Sequence, residues 1–152
     1  MIDDLPTNEA IALLAQIKNG DPGDGWDVSK DLPSVFNCAF GVTDDRGMRI
    51  QGVVADLLIK FGQKPPSTHY IFTIYKTEVR RRRRAYQLEI LQNGRRNRTE
   101  HDLPHEHIGQ DRSKGFPEWL NLTYDEALGM FCTKANLTLQ TALGDPAGID
   151  LR

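Results

Sequence analysis

An α+β fold, a curved antiparallel β-sheet with an N-terminal and a C-terminal helix packed against it, is predicted by three features of the 152-residue sequence. An amphipathic helical pattern stands near the start and a capped helical pattern near the end. Between them lie strand-like runs separated by turn residues rather than by helical segments. The length fits a single domain, 1–152, read as an acidic helix and loop (1–33), a sheet with a basic hairpin (34–110) and a C-terminal helical region (111–152).

From Thr7 to Asn19, residues Ala10, Ile11, Leu13, Leu14 and Ile17 recur at helical spacing, with Thr7 as cap and Gly20 closing the helix. Residues 20–33 hold three glycines, two prolines and four aspartates, the composition of a loop, with Trp26 as its anchor. Ser34 to Thr43 is rich in Val, Phe and Cys and runs into Asp44-Asp45-Arg46-Gly47, a turn with Gly where positive φ is needed. The second arm of that hairpin starts at Met48 and extends through Ile59, with a bulge expected near Gly52.

After Lys64-Pro65-Pro66, His69 to Val79 alternates as a strand, and Tyr86 to Leu91 forms another, stopped by Asn93-Gly94. Pairing of these two strands puts the intervening arginines at a hairpin tip or along its edge. His105 to Gly109 reads as a short strand or its end. Thr123 and Glu126 make a T-x-x-E capping box. Ala127, Leu128, Phe131, Cys132 and Ala135 then share one helical face, and Asn136 ends the helix.

With 39% apolar and 26% charged residues, the chain is not a collagen, a disulfide scaffold or a long disordered tail. Its longest apolar stretch, Val53 to Ile59, is broken by Asp56, so no membrane span is expected. The acidic start Met1-Ile2-Asp3-Asp4 is unlike a secretory signal, which makes a cytoplasmic location the expectation. Cys38 and Cys132 then read as free, buried structural thiols. Phosphate-binding glycine loops, nucleophile elbows and C-x-x-C knuckles are absent, which excludes the common ATPases and serine hydrolases.

The net charge of −2 conceals two opposed segments. Residues 1–31 carry seven acidic side chains against two lysines, while residues 78–100 carry eight arginines (Arg80, Arg81, Arg82, Arg83, Arg84, Arg95, Arg96 and Arg98) against three glutamates. Guanidinium groups fork onto phosphate oxygens, and Tyr70, Tyr75 and Tyr86 nearby offer stacking surfaces for bases, so a nucleic acid, RNA above all, is one expected partner. A solvated basic hairpin that meets the chain's own acidic segment, or an acidic protein surface, is the other.

The second candidate is His101-Asp102-Leu103-Pro104-His105-Glu106-His107. In extended backbone the His105 and His107 rings leave the same face and Glu106 leaves the other. Neutral imidazoles are ligands for a divalent metal such as zinc, with His101, Asp102 or Glu106 completing the set, so a metal on His101, His105 and His107 stays open although no cofactor is required. Imidazoles also titrate near neutral pH, so one can take a proton from a ribose hydroxyl while another protonates the leaving oxygen. A third reading has the histidines bond the backbone and order a loop.

The stretch from Thr68 to Asn136, with its hairpin (HYIFTIYKTEV, AYQLEI), the P-H-E-H-I-G motif and the TYDEALGMFCTKAN helix, resembles bacterial toxins of the TumE type and related uncharacterised domains of mobile genetic elements. His105 and His107 match the H-x-H pair of that family, and Trp119 stands in its aromatic stretch. Arg96-Asn97-Arg98-Thr99 replaces the Tyr-Asp-Asn stretch that often precedes the histidines. The resemblance implies a growth-inhibiting module with a cognate antitoxin.

The leading expectation is thus a small toxin acting on RNA as a metal-independent ribonuclease. Arg80, Arg82 and Arg84 would hold phosphates and His105 and His107 would transfer protons, with His101 as a third candidate. Two other classes stay open: a non-enzymatic phage or plasmid protein that inhibits a host defence complex, and a metal-dependent hydrolase. A homodimer also stays open.

Overall fold

The computed structural model describes residues 3–32, 34–63, 66–92 and 103–148. The Asp44 turn shows how local chemistry sets the register. The Asp44 carboxylate accepts from the backbone N–H of Arg46 and of Met48, and Gly47 takes φ 81°. This closes the hairpin between the strands Val35–Thr43 and Arg49–Gln63.

The elements are β1 (Asp3–Asp4), α1 (Thr7–Ala15), β2 (Lys18–Gly20), β3 (Asp27–Val28), β4 (Val35–Thr43), β5 (Arg49–Gln63), β6 (Pro66–Glu78), β7 (Arg81–Gln92), β8 (His105–Ile108), β9 (Asp111–Arg112), α2 (Tyr124–Ala135) and β10 (Leu137–Leu139). The strands form one open sheet in the order β10-β2-β4-β5-β6-β7-β8-β9. β1 lies parallel to β7 at Arg83 and Arg84, and β3 pairs with β4. Apart from β1/β7 and β10/β2 the ladders are antiparallel, and the chain is α+β as expected. No helix of the described residues is long and apolar enough to cross a membrane.

Alternation gives the sheet two unlike faces. On one, Leu57, Ile59, Tyr70, Phe72, Ile74, Tyr86, Leu88 and Ile90 form the core. α2 seals it: Phe131 stacks on Tyr86 (5.9 Å) and meets Phe72 edge-on (5.8 Å), and Tyr124 meets Tyr70 (6.2 Å). Each such buried aromatic contributes about 1.5–3 kcal/mol of hydrophobic stabilisation. α2 has the expected capping box at Thr123 and Glu126, and Asn136 closes it in the left-handed conformation. The opposite face presents Asp56, Thr73, Tyr75, Arg82, Arg84, Gln87, Glu89, His105 and His107, and no helix among the described residues packs there.

Three expectations about elements are corrected. α1 stops at Ala15 rather than Asn19, because Lys18, Asn19 and Gly20 leave the helix to pair with β4 and β10. Its N-cap is Pro6, with no side-chain cap from Thr7, and Ile11 (55% exposed) and Ile17 (51%) lie outside the core. Among the described residues from 111 to 148 the helical segments are α2 and two short 3-10 turns, and β9 and β10 join the sheet. The bulge near Gly52 is present: Gly52 has φ 75°, and the β4/β5 register shifts between Gly41 and Thr43. Trp26 anchors its loop by donating to the Gly144 carbonyl (2.7 Å).

Candidate functional site

Pairing of β7 with β8 sets Glu89 opposite His105 and Gln87 opposite His107. Directly opposed side chains on one sheet face have Cβ atoms about 4.5–5.5 Å apart, so the histidines gather against the two β7 side chains. The Nε2 atoms of His105 and His107 lie 3.2 Å from each other. His105 Nε2 is 3.7 Å from Glu89 Oε1, and ligand atoms of Glu89, His105 and His107 all fall within 4.8 Å of one another. On the far side of the carboxylate, His69 Nε2 is 3.4 Å from Glu89 Oε2.

The tautomer follows from the backbone. His105 Nδ1 is 2.9 Å from the Leu103 carbonyl, which can only accept, so Nδ1 carries a proton and Nε2 is the nitrogen turned toward His107. Burial is the main reason that the His107 pKa drops to about 4, with the charges of Arg84 and His105 acting in the same direction and Glu89 against it. Burial pushes the Glu89 carboxyl upward, but the His69 hydrogen bond and the positive charge of His105, His69 and His107 outweigh it and hold the group below its ordinary 4.5.

Glu106 leaves the opposite face, as alternation demands, and accepts from the Tyr86 hydroxyl (2.7 Å) with Lys134 at 3.9 Å. It therefore does not complete the histidine set. Tyr86 is fully buried, so the expectation that it stacks on bases is corrected: its ring is a core contact of Phe131. Tyr70 is buried likewise, and Tyr75 has its ring covered by the Arg82 guanidinium at 3.8 Å.

The arginine run is split. Arg80 sits exposed at the β6/β7 turn with φ 58°, and Arg81 to Arg84 belong to β7. Arg81 bonds Asp3, and Arg83 bonds the Asp4 carbonyl (3.3 Å) with Asp3 at 3.8 Å. On the histidine face, Arg82 bonds Asp56 (2.6 Å), which also accepts from Asn37 (2.6 Å). Arg84 bonds Asp4 through Nε (2.8 Å) and Nη2 (3.3 Å), and donates from Nη1 to Gln87 Oε1 (2.8 Å). The acidic N-terminal segment and Asp56 thus answer four of the guanidinium groups from within the chain. His101, Arg95, Arg96 and Arg98 lie outside the described residues.

Sequence reasoning missed Glu89 and His69. The signal available was the strand alternation from Tyr86 to Leu91, which points Glu89 away from the apolar side chains, but its β8 neighbour is set by the sheet order rather than by any local motif. Comparison with protein-family models, curated proteins and solved structures finds no match for this chain.

Proposed function

We propose that the chain is a metal-dependent hydrolase whose divalent ion is held by His105, His107 and Glu89. The observation that carries this reading is the 3.2 Å approach of the two Nε2 atoms beside the Glu89 carboxylate. Two imidazole nitrogens bound tetrahedrally at ~2.0–2.1 Å from zinc stand about 3.4 Å apart, so the rings need almost no movement to share an ion. The Leu103 carbonyl supports it as well, because it fixes Nδ1 as the protonated nitrogen and leaves Nε2 as the donor.

Two histidines and one glutamate form the donor set of hydrolytic rather than structural zinc, with a fourth position left for water or substrate. A bound ion of this kind lowers the pKa of its water to about 7 and supplies hydroxide at neutral pH. Around it the chain's own residues divide the remaining work. His69 orients Glu89, and Gln87 holds its place between Arg84 and Thr73 by hydrogen bonds of 2.8 and 2.9 Å. Metal binding is favoured over proton transfer by two free imidazoles because the two Nε2 atoms stand 3.2 Å apart, which leaves no room between them for a substrate that a general acid and a general base would have to flank.

The test uses untagged full-length protein purified without chelator. About one zinc-class ion per chain by elemental analysis is expected, with loss of that ion in the His105→Ala/His107→Ala variant. Cleavage of bis-p-nitrophenyl phosphate or p-nitrophenyl acetate should stop on chelation and return with zinc. A wild type that binds zinc no more tightly than the double variant overturns the reading.

A further inference from the structure

We infer that the Arg84 guanidinium is an anion subsite for a phosphate ester bound at the histidine face, and that Asp4 occupies it as an internal stand-in for that phosphate. This rests on the reading of the histidine face as the working side of the protein and names the substrate class for it.

The argument starts from register. Arg84 stands opposite Tyr75 on β6, and the β-bulge beside it, where the β6/β7 pairing shifts between Ile74 and Tyr75, brings Arg84 onto the same face as Gln87. Arg84 Nη1 donates to Gln87 Oε1 at 2.8 Å, and Gln87 is the direct cross-strand neighbour of His107. Asp4, Arg84, Gln87 and His107 therefore follow one another across the face, and the fork ends one side chain away from the proposed ion.

The fork is used as an oxyanion site is used. Nε and Nη2 take the two oxygens of the Asp4 carboxylate at 2.8 and 3.3 Å, the planar two-point geometry that a phosphate also fits. Arg84 is 13% exposed, which raises the strength of the contact above that of an ordinary surface pair, while Asp4 at 27% remains reachable from solvent. Asp4 sits on a strand of two residues, and the next residue, Leu5, is buried and donates its N–H to the Arg84 carbonyl at 3.0 Å. Rotation of the Asp4 side chain frees the fork without loss of the Leu5 anchor.

Asp3 supplies an internal control. Successive side chains of a strand leave on opposite faces, and Asp3 accordingly meets Arg81 and Arg83 rather than Arg84. Removal of its charge changes the net charge of the protein as much as removal of the Asp4 charge does, but on the side away from the histidines.

The experiment titrates chelator-treated full-length protein with inorganic phosphate, by calorimetry or by 31P resonance shifts. Asp4→Asn, which keeps the size of the side chain, should bind phosphate at least ~10-fold more tightly than wild type. Asp3→Asn should bind as wild type does, and Asp4→Asn/Arg84→Gln should lose the gain. Equal affinities in wild type and Asp4→Asn, an equal gain in Asp3→Asn, or a gain that survives Arg84→Gln each overturn the proposal. Zinc titration of the same proteins is read separately. A failure of phosphate binding with the ion site intact sinks the subsite alone, and a failure of zinc binding sinks the metal reading alone.

Discussion

His69 and His105 approach opposite oxygens of one carboxylate: His69 Nε2 is 3.4 Å from Glu89 Oε2, and His105 Nε2 is 3.7 Å from Glu89 Oε1. His69 is thus the outer partner of the proposed ion site, acting through Glu89. Outer partners of metal ligands contribute about 10–100-fold to affinity. His69→Ala should weaken zinc binding by that factor, and His69→Gln, which can still donate to Glu89, should recover part of it. Competition titration against a chromogenic chelator measures both, and an unchanged affinity in His69→Ala removes His69 from the site.

Lys18 provides a stability test away from the histidines. Fully buried, it donates to three carbonyls at the ends of both helices: Leu13 (2.6 Å) in the last turn of α1, Gln16 (2.8 Å) just after it, and Ala135 (2.7 Å) in α2. The carbonyl ends of the helix dipoles favour a cation there. The Leu13 carbonyl keeps the Gln16 N–H, but Lys18→Met takes the Lys18 donor from the Gln16 and Ala135 carbonyls, each costing about 1–3 kcal/mol when buried, so a loss of about 2 kcal/mol or more is expected by denaturant unfolding.

The same side chain makes stability pH-dependent. Burial lowers the Lys18 pKa from 10.5 to about 8. Between these values the unfolded chain holds a proton that the native chain has released, so native stability rises with pH in that window and the burial cost is complete below it. The stability difference between wild type and Lys18→Met should therefore grow as pH rises from about 8. A flat difference means that the three carbonyls hold the proton as firmly as water does.

The legible part of the fold was local. Asp44 to Gly47, the Thr123 capping box and the alternation of His69 to Val79 each announce themselves within a few residues, because turn, cap and pleat are short-range physics. Strand pairings between distant segments left no such mark. β2 and β10 are three residues each, and Lys18 reads as the end of a helix until Ala135 is brought beside it. The site divided the same way. The H-x-H spacing put His105 and His107 on one face from sequence alone, whereas Glu89, His69 and the Asp3 and Asp4 partners of the arginines depend on which strands become neighbours.

The cysteines should be inert in the native protein. Cys38 is buried with its thiol 3.6 Å from the Pro22 carbonyl, and burial pushes both Cys38 and Cys132 up to about 11. Thiolate, the reactive form, is then scarce at pH 8. Iodoacetamide at pH 8 should leave the folded chain unmodified and add two carbamidomethyl groups in denaturant. Rapid native labelling of Cys132, the less buried of the two, contradicts the packing of α2.

Tyr86 separates the roles of the two faces. Its ring stacks on Phe131 in the core and its hydroxyl donates to Glu106 at 2.7 Å, on the side of the sheet opposite His105 and His107. Tyr86→Phe keeps the ring and removes one donor from a carboxyl that is 9% exposed, which costs about 1–3 kcal/mol. For a chain of this length that lowers Tm by roughly 2–12 °C. Zinc and phosphate affinities should stay within about twofold of wild type, since no atom on the histidine face is altered. A large drop in phosphate affinity with normal stability would return Tyr86 to the ligand surface, against its burial behind α2.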